Sequence, residues 1–436
     1  MFSVCAAGQM TGPSLTYYSF GGVSSSGYEP TATPVMGAGR VLYGTTYGGS
    51  GSCSEGCGIV FAAIPPESPA GVWTETTVYN FLGGNDGQNP WGGVTLAPDG
   101  TLYGTTVQGG TPGACSDFGC GTVFALKPPA SVGGPWQETV LSTFSGGSDG
   151  SGPLSSVVIG RGGVLYGTAN YGGSSACATG GEFPGCGVIY SLQPPASPGA
   201  PWIRTVIYSF QGGSDGADPN GLALAPDGTL YGTTAGGGFS RCSESLTYPG
   251  CGVVYKLTPP ASAGGAWTYD VLYSFKGGGD AAKPYAAVTL GTGGVLYGTP
   301  SQGGSPDGCG HWQAGCGVVF SLTPPPPGGE LWTETLLYKF RGVDGALPRA
   351  GVAIGARGEL YGTTSEGAPG GYYGTVYELL PTLSSGGAWA GRTLYTFTSS
   401  GPYSAFGGVL PAGGVLYGTT SQGGAHGGGT VFALTP

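Results

Sequence analysis

Charged side chains are scarce in this chain, and their scarcity excludes several classes of partner. Asp, Glu, Lys and Arg together make up 8% of the 436 residues, and the formal net charge is −10. No run of Lys or Arg occurs, which argues against nucleic acid and anionic membranes as partners. No apolar stretch approaches the roughly 20 residues that a membrane-spanning helix needs. The sequence therefore predicts a protein with no nucleic-acid partner and no transmembrane segment.

Helical periodicity is also missing, and so are the usual catalytic signatures. No segment repeats its apolar residues at helical spacing. There are only two histidines, and no Gly-x-Ser-x-Gly, His-Glu-x-x-His or phosphate-binding loop is present. Glycine and proline number 95 and 36, a level that usually indicates disorder. Apolar residues nevertheless reach 39%, which is enough to bury a core.

A complete targeting signal is absent from the start of the chain. The first ten residues lack a basic start and a full apolar core, as a secretory signal would require. We interpret residues 1–14 as a leader or the remnant of a signal peptide, and residues 15–436 as one domain.

What the chain does contain is an internal repeat. The tetrapeptide Leu-Tyr-Gly-Thr occurs seven times, and successive copies are 56 to 66 residues apart; their tyrosines are Tyr43, Tyr103, Tyr166, Tyr231, Tyr297, Tyr361 and Tyr417. A period of this size is typical of an array in which each period forms one supersecondary unit.

Each repeat contains four candidate strands. In the second repeat they are GGVTLA, TLYGTT, GTVFAL and WQETVLSTF, separated by turns rich in Gly, Pro and Asp. Their residues favour a pleated surface, and the Pro-Pro pair after the third strand ends its ladder. Four short antiparallel strands repeated seven times predict an all-β fold, a seven-bladed β-propeller.

The fourth strand carries a regular aromatic pair. Six tryptophans each precede a phenylalanine by eight residues, namely Trp73/Phe81, Trp136/Phe144, Trp202/Phe210, Trp267/Phe275, Trp332/Phe340 and Trp389/Phe397. An even spacing predicts that both rings lie on one face of the strand. We interpret them as a packing layer between blades rather than as platforms for a ligand.

The two ends of the chain predict how the ring closes. Residues 15–20 (LTYYSF) match the fourth strand, and the chain ends with GTVFALTP, which matches the third. The N-terminal strand should therefore complete the last blade and remove its open edge.

Ten of the eleven cysteines form five local pairs, which leaves Cys5 over; the pairs are Cys53/Cys57, Cys115/Cys120, Cys177/Cys186, Cys242/Cys251 and Cys309/Cys316. Close pairs in small loops favour disulfides and an oxidising compartment. The alternative is zinc, which requires four ligands in one tetrahedron. Each loop supplies two, so we prefer disulfides.

A second motif, Gly-Gly-x-Asp-Gly-x-x-Pro, follows the fourth strand of most repeats. Its aspartates are Asp86, Asp149, Asp215 and Asp280, with a variant at Asp344 and a second carboxylate at Asp218. One interpretation is a turn in which each carboxylate caps its own backbone. The other is a calcium site. We predict no required cofactor and keep calcium as the alternative.

Strand order places the cysteine loops and the aspartate motifs at one end of the blades, and these loops vary most between repeats. Variable loops on a rigid scaffold commonly carry recognition. Residues that break the repeat there are the candidate ligand contacts: Glu182, Arg241, Asp307, His311, Trp312, Glu366 and His426. A solvated loop charge is the structural alternative for each, and we assign none a catalytic role.

The combined pattern LYGTTxxGG, GCGTVFxL and WxExxLYSFxGGxDGxxP resembles the GloVer tandem repeat of bacterial surface proteins, which are described as having a choice of anchors. The resemblance covers nearly the whole chain, from about residue 15 to residue 436. It implies export, surface attachment or release, and a β-propeller; it supplies no ligand and no catalytic residue.

Three functional hypotheses follow. The preferred one is an extracellular or cell-surface binding or scaffold propeller that recognises a glycan or a surface protein through its disulfide-closed loops. The second is a carbohydrate-active enzyme, a hydrolase or lyase, with its site at the channel mouth. The third is self-assembly of identical propellers into a surface layer.

Overall fold

The computed structural model describes residues 13–21, 27–49, 53, 56–66, 71–110, 115, 118–131, 133–177, 184–197, 199–239, 242, 249–262, 264–304, 309, 314–367, 372–382 and 389–436. These residues form β-strands joined by turns, with four short 3-10 segments at Ala38–Arg40, Gly84–Asp86, Arg161–Gly163 and Thr292–Gly294. In this part of the chain no helix is long and apolar enough to cross a membrane.

Seven four-stranded antiparallel sheets make the blades of a propeller, which confirms the predicted fold. Blade 1 contains β2 Val35–Met36, β3 Leu42–Thr46, β4 Ile59–Ile64 and β5 Thr74–Asn80. Blade 2 contains β6 Thr95–Leu96, β7 Leu102–Thr106, β8 Thr122–Lys127 and β9 Gln137–Thr143. Blade 3 contains β10 Val158–Ile159, β11 Leu165–Ala169, β12 Val188–Gln193 and β13 Ile203–Ser209.

Blade 4 contains β14 Ala217–Leu224, β15 Leu230–Gly236, β16 Val253–Thr258 and β17 Thr268–Ser274. Blade 5 contains β19 Thr289–Leu290, β20 Leu296–Gly298, β22 Val318–Thr323 and β23 Thr333–Lys339. Blade 6 contains β24 Ala353–Ile354, β25 Leu360–Thr364, β26 Thr375–Leu380 and β27 Ala390–Thr396. Blade 7 contains β29 Val409–Ala412, β30 Val415–Thr420, β32 Thr430–Thr435 and, from the start of the chain, β1 Ser14–Ser19. Two small ribbons pair β18 Ala281–Pro284 with β21 Pro300–Gly303 and β28 Pro402–Tyr403 with β31 Gln422–Gly423.

The N-terminal strand closes the ring. Strand β1 pairs antiparallel with the C-terminal strand β32, from Ser14 opposite Thr435 to Ser19 opposite Thr430. Phe20, directly after this strand, is fully buried. The predicted closure is confirmed, and it pairs the edge of β32, which would otherwise be open.

Seven apolar clusters lie between neighbouring blades and together form the core. The tryptophans of the outer strands pack there, as expected: the ring of Trp202 lies 6.2 Å from that of Tyr103 in the preceding blade, in an edge contact. The prediction that each tryptophan shares a face with its phenylalanine is wrong. Trp73 packs toward blade 7, whereas Phe81 packs toward blade 2.

A β-bulge explains this reversal. Between the third and fourth strands of blades 1 to 6 the register shifts by one residue; in blade 1, Val60 pairs with Tyr79 but Phe61 pairs with Thr77. The extra residue turns the rest of the strand over. Six of the seven layers between blades therefore receive a phenylalanine from one blade and a tryptophan from the next; the layer between blades 6 and 7 contains Phe397 and, among the described residues, no tryptophan.

The threonine of Leu-Tyr-Gly-Thr fastens six of the seven blades to the next blade, whereas the buried hydroxyl of Thr168 in blade 3 has no hydrogen-bond partner among the described residues. The hydroxyl of Thr105 donates a hydrogen bond to the carbonyl oxygen of Ser155 in the next blade, at 2.9 Å. The same bond joins Thr45 to Gly92, Thr233 to Ala286, Thr299 to Ala350, Thr363 to Gly407 and Thr419 to Ala32. These acceptors lie on the inner segments, so the repeated motif holds the walls of the central channel in place.

Candidate binding site at the channel mouth

The aspartate motif forms the connection from one blade to the next, on the same face as the cysteine loops. The carboxylate of Asp86 accepts hydrogen bonds from the backbone N–H of Leu82 and the hydroxyl of Tyr79, both at 2.6 Å. Asp215, Asp280 and Asp344 accept the corresponding pair of bonds. The carboxylates thus cap their own turns, as the first interpretation predicted. Calcium binding at these loops stays a prediction.

Asp149 differs because the tyrosine two residues before the phenylalanine is replaced by Ser142. Its carboxylate accepts bonds from the backbone and hydroxyl of Ser145 and forms an ion pair with Arg204 of the next blade. The Arg204 guanidinium also lies over the ring of Phe144, 4.2 Å from its centroid. A cation from the next blade therefore takes the place of the missing hydroxyl.

Glutamates occupy the position of Arg204 in three other blades, and two of them, Glu138 and Glu334, lie beside an aspartate. Burial, and to a lesser extent the charge of Asp86, raises the pKa of Glu138 to about 7. Burial and Asp280 likewise raise the pKa of Glu334 to about 7. One carboxylate oxygen of each glutamate is buried without a hydrogen-bond partner. At both blade interfaces the glutamate therefore keeps its proton to a higher pH than an exposed glutamate does.

We expect Glu138→Gln to stabilise the protein above neutral pH. The pKa of Glu138 is higher in the folded than in the unfolded chain, so its contribution to stability is full below pH 4.5 and is lost as the pH rises through 7. The raised pKa would correspond to about 3 kcal/mol, which solvent screening of this half-exposed group reduces to about 1 kcal/mol. Urea unfolding at pH 5 and pH 8 measures the difference. Glu330→Gln, at an exposed site, is the control, and an equal effect of Glu138→Gln at both pH values would contradict the expectation.

The predicted disulfides are present, and Cys5 lies outside the described residues. The five bonds are Cys53–Cys57, Cys115–Cys120, Cys177–Cys186, Cys242–Cys251 and Cys309–Cys316. The pairing therefore agrees with the preferred interpretation and not with the zinc alternative, in which these thiolates would be metal ligands.

One cysteine of each pair belongs to the core. The second cysteine of each pair is fully buried, namely Cys57, Cys120, Cys186, Cys251 and Cys316. Each of these five packs in one of the apolar clusters between blades. One sulfur of each disulfide therefore lies in the core, where it anchors its loop. Recognition through the disulfide-closed loops stays a prediction.

The disulfides lie against the glycine turn that follows the fourth strand. A Cβ atom on Gly212 would come within 2.1 Å of the Cys177 sulfur, and one on Gly277 within 2.5 Å of the Cys242 sulfur. The first glycine of the motif is therefore required by the disulfide beside it.

Backbone bonds connect these disulfides to the channel. The residue before each repeat proline has positive φ; for Asn89, Asp218 and Lys283 the values are 58°, 59° and 56°. The backbone N–H of the residue before the proline donates a hydrogen bond to the carbonyl oxygen of the second cysteine in the preceding blade. Asn89 donates to Cys57 at 2.8 Å, and Lys283 donates to Cys251 at 2.9 Å. The chain then turns into the channel, so these connections fix the position of the residue after the proline.

That residue lines the mouth of the central channel in every blade. The seven positions are Thr31, Trp91, Leu154, Asn220, Tyr285, Arg349 and Phe406, which surround a cavity of about 500 Å³. The residues directly below are small, among them Gly92, Ser155 and Ala286. Apart from Leu222, the large side chains that line the cavity are therefore those of the rim.

Aromatic and cationic side chains gather on one side of this rim. The rings of Trp91 and Phe406 meet edge to face, with centroids 6.2 Å apart. The Arg349 guanidinium carbon lies 5.2 Å from the centroid of Phe406 and 5.6 Å from that of Tyr285. Tyr285 is 40% exposed. Three flat apolar surfaces and one positive charge therefore face a single cavity.

A partly buried carboxylate, Asp218, and a buried lysine, Lys283, lie behind the rim. The carboxylate of Asp218 accepts a hydrogen bond from the amide of Asn170 at 2.7 Å. Burial raises the pKa of Asp218 to about 6, while this bond and the charge of Lys283 act in the opposite direction. Burial also raises the pKa of Tyr285, with Asp218 adding to the shift and Arg349 opposing it. The hydrogen bond from Asn170 and the positive charge of Lys283 thus both favour the charged form of Asp218.

The predicted contact residues do not line this cavity where the structure describes them. Glu366 is partly buried and pairs through its backbone with Ala346, at 2.8 and 3.1 Å. His426 is exposed, and its N–H donates to the Ser19 hydroxyl at 3.2 Å. The other five, Glu182, Arg241, Asp307, His311 and Trp312, lie outside the described residues.

The rim residues were missed by sequence reasoning, although a signal for them exists. Six of them directly follow a repeat proline, and Phe406 follows Ala405 at the equivalent position. The seven repeats share no residue type there. A position that varies immediately after a repeated turn is held in a fixed place while its side chain is free to differ. That combination is what a binding rim requires.

The fold and this rim define a seven-bladed propeller with a candidate binding site at one end of its channel. The family model described as the Gloeobacter/Verrucomicrobia repeat matches residues 2–180 and 308–436, well over half of the chain. The protein belongs to this repeat family, which confirms the resemblance seen in the sequence. A search of curated proteins found no match.

Several solved structures of low sequence identity are similar to this one. The polysaccharide lyase Uly1 has a TM-score of 0.50 at 12% identity, covering 97% of this chain and 98% of that one. PorZ, a surface component of the type-IX secretion system of Porphyromonas gingivalis, has a TM-score of 0.49 at 13% identity, covering 93% and 46%. A glucose dehydrogenase has a TM-score of 0.45 at 15% identity, covering 96% and 99%. At these identities the likeness concerns the fold alone.

Proposed function

We propose that this protein is an exported binding propeller that holds a saccharide at the channel mouth on its disulfide face. The observation that carries the proposal is the convergence of Trp91, Tyr285 and Phe406 on one cavity. Aromatic rings present flat apolar surfaces with a polar edge, which suit the C–H faces of a sugar ring. A concave apolar site with a few polar groups is the usual form of a small-ligand pocket.

The scaffold around the mouth supports binding without reorganisation. The rim residues follow turns that are capped by aspartates and bonded to the preceding blade. Threonine hydroxyls from the second strands hold the inner segments just below the rim. A site that is already ordered loses little conformational entropy when it binds.

The disulfides support an extracellular location. Five disulfides in one chain fit an oxidising compartment. Carbohydrates are abundant ligands at cell surfaces, and a glycan is therefore preferred here over a protein partner.

Replacement of a rim aromatic tests the proposal. A glycan array with the folded wild-type protein identifies a bound saccharide, and calorimetric titration then gives its affinity. We expect Trp91→Ala to weaken binding about tenfold or more, as for a central aromatic contact. Leu331→Ala removes a side chain that is 84% exposed, outside the cavity and outside the disulfide loops, and it should leave affinity unchanged. Absence of any glycan signal, or equal losses from both variants, would overturn the assignment.

A further inference from the structure

Arg349 differs from the other residues at the channel mouth in carrying a full positive charge. Its guanidinium lies over two rings, those of Tyr285 and Phe406. Cation–π contacts use the charge of the group and leave its N–H donors to other partners. The two rings therefore hold the guanidinium in place beside the cavity.

Among the residues that the structure describes, no carboxylate forms an ion pair with Arg349. Its Nε is buried and has no hydrogen-bond partner, and none of the four ion pairs among the described residues includes Arg349. A guanidinium usually forms paired hydrogen bonds with a planar anion. Arg349 forms no ion pair with a described carboxylate although the chain carries a net charge of −10. Its guanidinium is therefore a candidate to bind an anionic ligand.

Among the described residues, the charges that act on the Tyr285 hydroxyl are those of Asp218 and Arg349. The carboxylate of Asp218 is hydrogen-bonded to Asn170, and its charged form is favoured by Lys283. Asp218 and Lys283 offset one another behind the rim, and Arg349 supplies an additional positive charge at the cavity itself.

We infer that the saccharide bound at the mouth carries a carboxylate, as in a uronic acid, and that Arg349 binds this group. The inference rests on the proposed function. The sugar ring packs against Trp91 and Phe406, while its planar carboxylate accepts hydrogen bonds from the guanidinium edge. Arg349 thereby determines specificity for acidic over neutral sugars.

Matched acidic and neutral probes test the inference. The probes are oligomers of galacturonate, mannuronate, guluronate and glucuronate, each beside its methyl ester, together with a sulfated oligosaccharide and a carboxylate-terminated peptide. Affinities are measured by calorimetry. We expect the wild-type protein to bind at least one acid about tenfold or more tightly than its ester, because hydrogen bonds to charged groups contribute about 1.5–3 kcal/mol. Arg349→Gln should remove this preference and leave binding of the ester within about twofold.

Two further variants separate charge from structure. Arg349→Lys keeps the charge but loses the paired geometry, and it should recover only part of the preference. Arg341→Gln, at an exposed arginine outside the cavity, is the control for general electrostatic attraction. Melting temperatures of all variants establish that they are folded.

The outcomes distinguish this inference from the proposed function. Tight binding of neutral or sulfated sugars alone, or an acid preference that survives in Arg349→Gln, overturns the carboxylate assignment and leaves saccharide binding intact. Binding of carboxylate-terminated peptides but of no sugar overturns both. Failure of every glycan to bind the folded protein also overturns both.

Discussion

Removal of residues 1–21 is expected to lower the melting temperature by about 5–10 °C, a large shift for a protein of this size. The deletion takes away β1, whose six residues pair with β32, and the fully buried Phe20. Loss of a buried phenylalanine side chain alone costs about 3–5 kcal/mol. The deletion also exposes the edge of β32, so we expect concentration-dependent aggregation.

A peptide supplied in trans makes this prediction sharper. A synthetic peptide of residues 13–21 should raise the melting temperature of the truncated protein, and the increase should grow with peptide concentration because the peptide binds only the folded ring. The same peptide with Phe20→Ala should have a much smaller effect. Removal of residues 1–12 keeps β1 and is the control truncation. An unchanged melting temperature after removal of residues 1–21 would show that β1 does not stabilise the ring.

The architecture could be predicted because the repeat supplied many consistent observations. Seven copies of one tetrapeptide determined the number of blades, and the partial repeats at the two ends identified the closing strand. The five cysteine pairs were predictable because each pair lies within one short loop. None of these inferences required a distance between residues that are far apart in sequence.

The outer-strand aromatics show where counting along a strand becomes insufficient. The separation of eight between Trp73 and Phe81 predicts one face only if the pleat is uninterrupted. A bulge near Val78 adds a residue that the partner strand does not match, and the two rings then face different neighbours. The bulge occurs in each of blades 1 to 6. The spacing of eight is therefore the same in all six repeats, and comparing the repeats does not show the extra residue.

The channel mouth was missed for a different reason. Sequence reasoning searched the cysteine loops, where charges and histidines break the repeat, and did not search the residue after the repeat proline. Trp91, Tyr285, Arg349 and Phe406 come from four blades, between about 60 and 315 positions apart in the chain, and only ring closure brings them together. Their convergence is a property of the tertiary structure.

Gly104→Ala is expected to destabilise the protein by about 3 kcal/mol, near the upper end for overpacking of a buried site. Gly104 pairs with Phe124 on the adjacent strand, and a Cβ atom at Gly104 would lie 2.4 Å from the Cζ atom of that ring. The ring cannot retreat easily, because it is fully buried and contacts Phe81 with centroids 5.1 Å apart. The same contact between glycine and an aromatic ring recurs at the other copies: Gly44 with Phe61, Gly167 with Tyr190, Gly232 with Tyr255, Gly298 with Phe320, Gly362 with Tyr377 and Gly418 with Phe432.

Two comparisons identify the cause of this loss. Gly213→Ala places a methyl group in open space at an exposed position and should change the free energy of unfolding by less than about 0.5 kcal/mol. Combining Gly104→Ala with Phe124→Leu should cost about 1 kcal/mol less than the sum of the single changes, because the smaller side chain makes room for the methyl group. Urea unfolding of the four variants measures both differences. Additive losses in the double variant would mean that the ring of Phe124 is not what requires glycine in Leu-Tyr-Gly-Thr.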